Sequence, residues 1–305
     1  MVIALASYHH LRSLGLLQRA AAACDIVLDN HAPAGDGLVR RRGQHPVAAT
    51  FTTANSALAW TWSAELFAAS TRRGKTLAIL PKISPFRRKN EIFERNWSTR
   101  FHHKTIAQIA PGLLGQAYLK KLRSLLGNVS TASWPALVAT IDRAAATIMD
   151  GGDVYLRTDG QSPPYHVGGK LIADANLFRI LDHDGSDTSL PLPRANDFVI
   201  AIGYDAPPST DWWGQPHLLH GAGLGVSWII TSYLTNANDF QDRNILVDQH
   251  WAEGDALVRA NGYDVRLALA SGVIQEAIYW AVTAGVYDQV QRHRTMRRPR
   301  ISQHP

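Results

Sequence analysis

Asp248-Gln-His250-Trp-Ala-Glu-Gly254-Asp255-Ala-Leu257-Val258 repeats an earlier stretch of the chain, Asp29-Asn-His31-Ala-Pro-Ala-Gly35-Asp36-Gly-Leu38-Val39, at a constant offset of 219. Six of the eleven positions are identical, and an apolar helical pattern follows each copy. A shared D-x-H-x-x-x-G-D-x-L-V pattern marks two copies of one structural unit. Upstream, Leu5-Ala-Ser7-Tyr8 aligns with Ile230-Thr-Ser232-Tyr233, each an apolar strand running into a small polar residue. Gly35 and Gly254 are expected to take a positive φ at a tight turn. Asp36 and Asp255 are expected to accept local N–H bonds or to cap the segment that follows. The copies differ in what precedes them: a long α/β pattern leads into the second, whereas the first starts almost at Met1.

Working outward, short β-rich apolar runs alternate with helical patterns. In the front part, strands are expected over 2–6, 24–28 and 76–80, with helices over 9–23 and 54–70. Residues 81–127 read as a connector with basic helical stretches. Beyond it, Trp134 to Met149 reads as a helix with Ser133 as its N-cap and Gly151-Gly152 as its stop. Strands are expected at 154–157, 198–202, 226–230 and 245–247, with helices near 168–180, 212–223 and 273–284. This alternation predicts a parallel sheet covered on both faces.

Composition sets bounds. In 305 residues, 46% are hydrophobic and 18% charged, which describes a globular chain and excludes a disordered or fibrous one. The net charge of +6 is unevenly placed. Residues 72–104 carry ten Lys/Arg against Glu91 and Glu94, and residues 292–300 carry five Arg with no acid. The bodies are therefore acidic, and the basic runs read as a solvated connector and tail, with nucleic-acid binding not expected. The single cysteine, Cys24, excludes an internal disulfide and reads as a small buried hydrophobe. Neither a signal sequence nor a membrane span is indicated, so a cytoplasmic location is expected.

The arrangement resembles a sugar isomerase (SIS) domain, the phosphosugar-binding module with a parallel sheet between helical layers. The resemblance is carried by Gly151-Gly-Asp-Val-Tyr-Leu-Arg-Thr-Asp-Gly-Gln-Ser162, Val199-Ile-Ala-Ile-Gly-Tyr-Asp205, Gly225-Val-Ser-Trp-Ile-Ile-Thr-Ser232 and Ser271-Gly-Val-Ile-Gln-Glu276. It implies an α/β fold, a three-layer αβα sandwich of flavodoxin-like type. It also implies a division into a partial unit at 1–80, a connector at 81–129, a complete domain at 130–290 and an Arg-rich tail at 291–305. The implied function is binding of a sugar phosphate or carbohydrate derivative, with aldose–ketose isomerisation as the accompanying reaction. Family members commonly dimerise, so a homo-oligomer, or a partner completing the first half unit, is expected. The loop Gly203-Tyr-Asp205-Ala-Pro207-Pro208 departs from the family's serine-rich pattern. Asp205 repels phosphate and the prolines lack N–H donors, which motivates a second reading as a non-catalytic phosphosugar-sensing or regulatory module.

In parallel α/β domains, ligands sit at the carboxyl ends of the strands. Four segments should converge there, 158–166, 203–210, 231–232 and 248–255, together with the helix start at Ser271. Thr158, Ser162, Ser209, Thr210, Thr231, Ser232 and Ser271 are the candidate substrate-binding residues, because hydroxyls donate to phosphate and sugar oxygens. Isomerisation needs a base to carry the proton between C1 and C2, and a group to assist ring opening. Glu276, in the first turn of the last helix, His250, Glu253 and His166 are the candidates. No cofactor and no metal site are expected: there is no cysteine cluster and no H-E-x-x-H. Gly168-Gly-Lys170 lacks the flanking residues of a P-loop.

Overall fold

The computed structural model describes residues 1–39, 47–77, 102–158, 177–181, 193–203, 224–235, 243–252 and 254–297. The protein is of the α/β class. In the front part, β1 (Ile3–Ala6) lies parallel to β2 (Ile26–Asp29), with α1 (Tyr8–Ser13) and α2 (Leu17–Ala23) between them. Gly15, at φ +68°, divides the single helix expected over 9–23 into two. A small antiparallel hairpin, β3 (Gly37–Val39) and β4 (Val47–Ala49), then leads into α3 (Phe51–Arg72). The strand expected at 76–80 runs largely outside the described residues. Cys24 is half-buried at the end of α2 rather than fully buried.

Where the connector was expected, α4 (Leu113–Thr131) buries Leu114, Tyr118, Leu122 and Val129. Its start is held by Glu65 of α3, whose carboxylate accepts from the Gly112 N–H at 2.8 Å and the Gly115 N–H at 2.7 Å. A carboxylate there satisfies orphan N–H groups and complements the helix dipole. Next comes α5 (Trp134–Met149), which opens on Pro135 and buries Leu137, Thr140, Ile141, Ala144 and Ala145. That i, i+3, i+4 spacing makes one apolar stripe. Gly151, at φ +85°, ends it as expected.

Five parallel strands follow: β5 (Val154–Thr158), β6 (Arg179–Leu181), β7 (Phe198–Ile202), β8 (Gly225–Ile230) and β9 (Ile245–Asp248). Their order across the sheet is β6-β5-β7-β8-β9. Every residue of β7 and β8 is buried. Phe198, Ile200, Ile202 and Ile229 join the main core, while Val199, Ala201, Val226, Trp228 and Ile230 form a second cluster on the opposite face. This is the alternation of strands covered on both sides. Of the helix expected near 168–180, the part within the described residues is not helical, and its last two residues open a strand. Arg179–Leu181 pairs with β5, and Arg179 meets Asp153 at 2.9 Å. The helix expected at 212–223 falls outside the described residues.

The chain closes with a second hairpin, β10 (Ala256–Val258) and β11 (Leu267–Leu269), and the long helix α6 (Ser271–Arg297). The last part thus repeats the first: two parallel strands, a hairpin, a long helix. The match extends to the backbone. Among the described residues, the non-glycine residues with positive φ are His31, Asp36, Ala48, His250, Asp255 and Ala268, which form three equivalent pairs. Gly35 and Gly254 take φ of 85° and 86°, as expected. Left-handed conformations are costly for side-chain-bearing residues, and here they recur at matching positions of the two motifs.

Candidate functional site at the carboxyl ends of the sheet

Strand register places the origins of the expected segments along one rim. Thr158 pairs with Ile202, Ile202 with Ile229, and Ile230 with Asp248. Gly203, Thr231 and Gln249 each follow a paired residue, so the loops after β5, β7, β8 and β9 leave the sheet from the same edge. The start of α6 comes to this rim too: Gln275 Nε2 donates to the Gly203 carbonyl at 2.9 Å.

Gly203 is held from several sides. Its N–H donates to the Ile229 carbonyl at 3.1 Å, and its own carbonyl also accepts from Gln249 Nε2 at 2.6 Å. Gln249 Nε2 reaches the Ile229 carbonyl as well, at 2.7 Å, while its Oε1 accepts from the Trp251 indole at 3.0 Å. Both glutamines are fully buried, and Gln275 Oε1 has no hydrogen-bond partner among the described residues. Buried amides of this kind fix Gly203, where the chain leaves β7. Sequence reasoning passed over both, although each sits inside a quoted motif: Gln249 between Asp248 and His250, Gln275 beside Glu276.

The two repeated aspartates in each unit do structural work. Asp248 Oδ1 accepts from the N–H groups of Ser232 at 3.0 Å and His250 at 2.8 Å. Asp29 Oδ1 does the same with Tyr8 at 3.0 Å and His31 at 2.9 Å. Burial pushes the Asp29 carboxyl up, but those two N–H groups and the His31 and His9 imidazoles outweigh it and hold it below its ordinary value. Asp255 Oδ1 accepts from the N–H groups of Ala270 at 3.0 Å and Ser271 at 2.5 Å, and its Oδ2 from the Ser271 hydroxyl. Asp36 Oδ1 likewise accepts from Thr50 at 2.8 Å and Phe51 at 2.6 Å. Each Gly-Asp pair therefore caps the long helix that follows it.

These partners also correct the upstream alignment. The Ser7 hydroxyl donates to the Ala32 carbonyl, and the Thr231 hydroxyl to the Trp251 carbonyl at 2.8 Å. Ser7 therefore corresponds to Thr231 and Tyr8 to Ser232, one residue from the pairing suggested by the shared Ser-Tyr letters.

The expected site residues divide accordingly. Thr158 is half-buried at the end of β5, and Ser232 is exposed at the start of the 3-10 turn Ser232–Leu234. Thr231 and Ser271 are buried and engaged in the bonds just described. His250 is half-buried, with Nε2 2.8 Å from the Ser133 hydroxyl and Nδ1 3.5 Å from Asp248 Oδ2. Ser133 also donates to the Asp248 carbonyl at 2.8 Å; it occupies the expected N-cap position but makes no side-chain cap bond to α5. Glu276 is buried, and its Oε1 accepts from the Trp280 indole at 2.9 Å. Because α6 starts at Ser271, Glu276 lies in its second turn and not its first. Ser162, His166, Ser209, Thr210 and Glu253 lie outside the described residues. Among the described residues, no group of three or more His, Cys, Asp or Glu is placed to hold a metal ion. No helix there is long and apolar enough to cross a membrane.

Solved structures similar to this chain include a phosphoheptose isomerase from Neisseria gonorrhoeae, at 13% identity and a TM-score of 0.41, covering 58% of this chain and 96% of the other. The sugar isomerase domain of an RpiR transcription factor from Sphaerobacter thermophilus is similar at 14% identity and a TM-score of 0.37, covering 60% and 94%. A phosphoheptose isomerase from Francisella tularensis gives 10%, 0.35, 58% and 96%. No family model and no curated protein sequence matches the chain.

Proposed function

We propose that the chain binds a sugar phosphate or related carbohydrate derivative at the rim formed by the carboxyl ends of β5, β7, β8 and β9. The single supporting observation is the convergence of those strand ends on a loop origin, Gly203, that two buried glutamines hold in place. A prepositioned loop origin costs less ordering on binding than a free one. Gln275 Oε1, without a partner among the described residues, would accept from a ligand hydroxyl. Thr158 and Ser232 are the described hydroxyls assigned to the ligand; Ser162, Ser209 and Thr210 are assigned the same role by sequence. The positive end of α6 is already taken by Asp255, so the phosphate is assigned to the 158–166 and 203–210 segments rather than to Ser271. On this reading residues 130–290 form the ligand-binding domain, and residues 1–80 are a second, partial unit.

The reaction assigned to the site is aldose–ketose isomerisation. Glu276 serves as the base: it takes the C2 proton of the open-chain aldose, leaving an enediolate, and returns that proton to C1 as the O2 hydroxyl proton passes to O1. His166 and Glu253 assist ring opening. His250 is assigned a positioning role, because contacts to Ser133 and Asp248 engage both ring nitrogens. Calorimetric titration with aldose and ketose phosphates tests binding, and deuterium incorporation at C1/C2 tests turnover. Glu276→Gln should abolish deuterium exchange while leaving affinity within about threefold, the pattern of a lost proton-transfer step. Absence of saturable binding to the folded chain would end the proposal. The internal bonding of Ser271 and His250 favours a second reading, a sensing module, which binding without any proton exchange would select.

A further inference from the structure

The repeat places the same elements in two different surroundings. In the last part of the chain, β8 is flanked by β9 on one edge and β7 on the other. In the first part, β1 pairs with β2 alone among the described strands. The carbonyls of Val2 and Ala6 accept from residues at the β2 side, so the backbone groups of Ile3 and Leu5 face the opposite edge. The Leu5 counterpart, Ile229, uses that edge to accept from Gly203.

The helices repeat the contrast. Aligned through their capping aspartates, Trp62 and Leu66 of α3 correspond to Val282 and Val286 of α6. The two valines are 2% and 0% exposed on a helix that packs along α5; Trp62 and Leu66 are 40% and 41% exposed. Likewise α4 packs on β10, whose Val258 is 3% exposed, whereas its counterpart in β3, Val39, is 42% exposed. Finally, the His250 Nε2 meets Ser133 at the start of α5, while the equivalent His31 side chain is 85% exposed. Strand edge, helix face, hairpin and histidine all open toward what α4, α5 and β7 supply in the second unit. Val2–Ala6 also carries none of the charges that normally guard a bare edge.

We infer that this side of the first unit is a docking surface for a partner polypeptide built like residues 113–202. That partner would add a parallel strand along Ile3 and Leu5, lay a helix over Trp62 and Leu66, and bring a hydroxyl to His31. The occupant is specified by the second unit, which shows the same surface already covered.

The test is hydrogen exchange on the chain as it stands and on the chain extended ahead of Met1, through a flexible linker, by a second copy of its own residues 104–203. The Ile3 and Leu5 amides should exchange more than about tenfold slower in the extended chain, as expected for newly paired strand groups. Leu66→Asp should remove that protection while leaving the stability of the unextended chain unchanged. Equal exchange in both chains would overturn the inference. So would protection in the unextended chain: concentration-dependent protection assigns the surface to a second copy, and concentration-independent protection means that the chain covers its own edge.

Discussion

Asp36 and Asp255 make the same backbone bonds in unequal settings, which turns one substitution into two informative ones. Asp255 is buried and also receives the Ser271 hydroxyl, whereas Asp36 is half-buried. Asp255→Ala leaves buried donors unpaired and should cost about 2–3 kcal/mol; Asp36→Ala removes an ordinary cap and should cost about 1 kcal/mol. Denaturant unfolding of the two variants measures the difference, and equal losses would mean that burial adds nothing to the cap. At this scale the motif's glycines and aspartates were legible in the sequence, because a positive φ and an N–H acceptor are local demands. The two glutamines that hold Gly203 were not legible. Their partners lie 46 and 72 residues away, and nothing local distinguishes a buried amide from a surface one.

Among the elements, α5 and α6 approach more closely than any helix pair with a side chain at position 285 would allow. A Cβ placed on Gly285 would lie 2.7 Å from Ile141 Cδ1 and 2.9 Å from its Cγ2. Gly285→Val should therefore destabilise by about 1–3 kcal/mol through overpacking. Gly285→Ala should cost less, because alanine regains up to about 1 kcal/mol of helix propensity. Thermal and denaturant melts decide it; a valine variant as stable as the parent would show that the helices separate freely. Long elements with a strong period were readable: α5 and β7 fall where the apolar pattern places them. The second hairpin and β6 were not. Each of their strands is three residues long, too short to establish a period, and β6 owes its state to pairing with β5.

At the scale of the whole molecule, two core tyrosines couple stability to alkaline pH. Burial pushes the Tyr118 hydroxyl well above its ordinary range, with the Asp255 charge adding to the effect. Burial raises Tyr279 to about 12; the Thr283 hydroxyl opposes this and the Glu276 charge reinforces it. The fold therefore favours the neutral phenols. Their contribution is complete below the unfolded value near 10 and is lost as pH rises through the folded one. The unfolding free energy from a pH series of denaturant melts should fall by about 4 kcal/mol between pH 10 and 12, and Tyr279→Phe should remove about half of that fall. An unchanged slope in the variant would locate the alkaline sensitivity elsewhere. The sequence disclosed the parallel sheet, since it rests on runs of residue type. How the two copies meet was hidden, because that depends on surfaces far apart in the chain. Their meeting is reciprocal: β4 lies against α6, and β11 lies against α3. Neither copy can be lifted away without stripping a neighbour's long helix, so the pair behaves as a dovetail joint, and whatever loosens one half must be felt by the other.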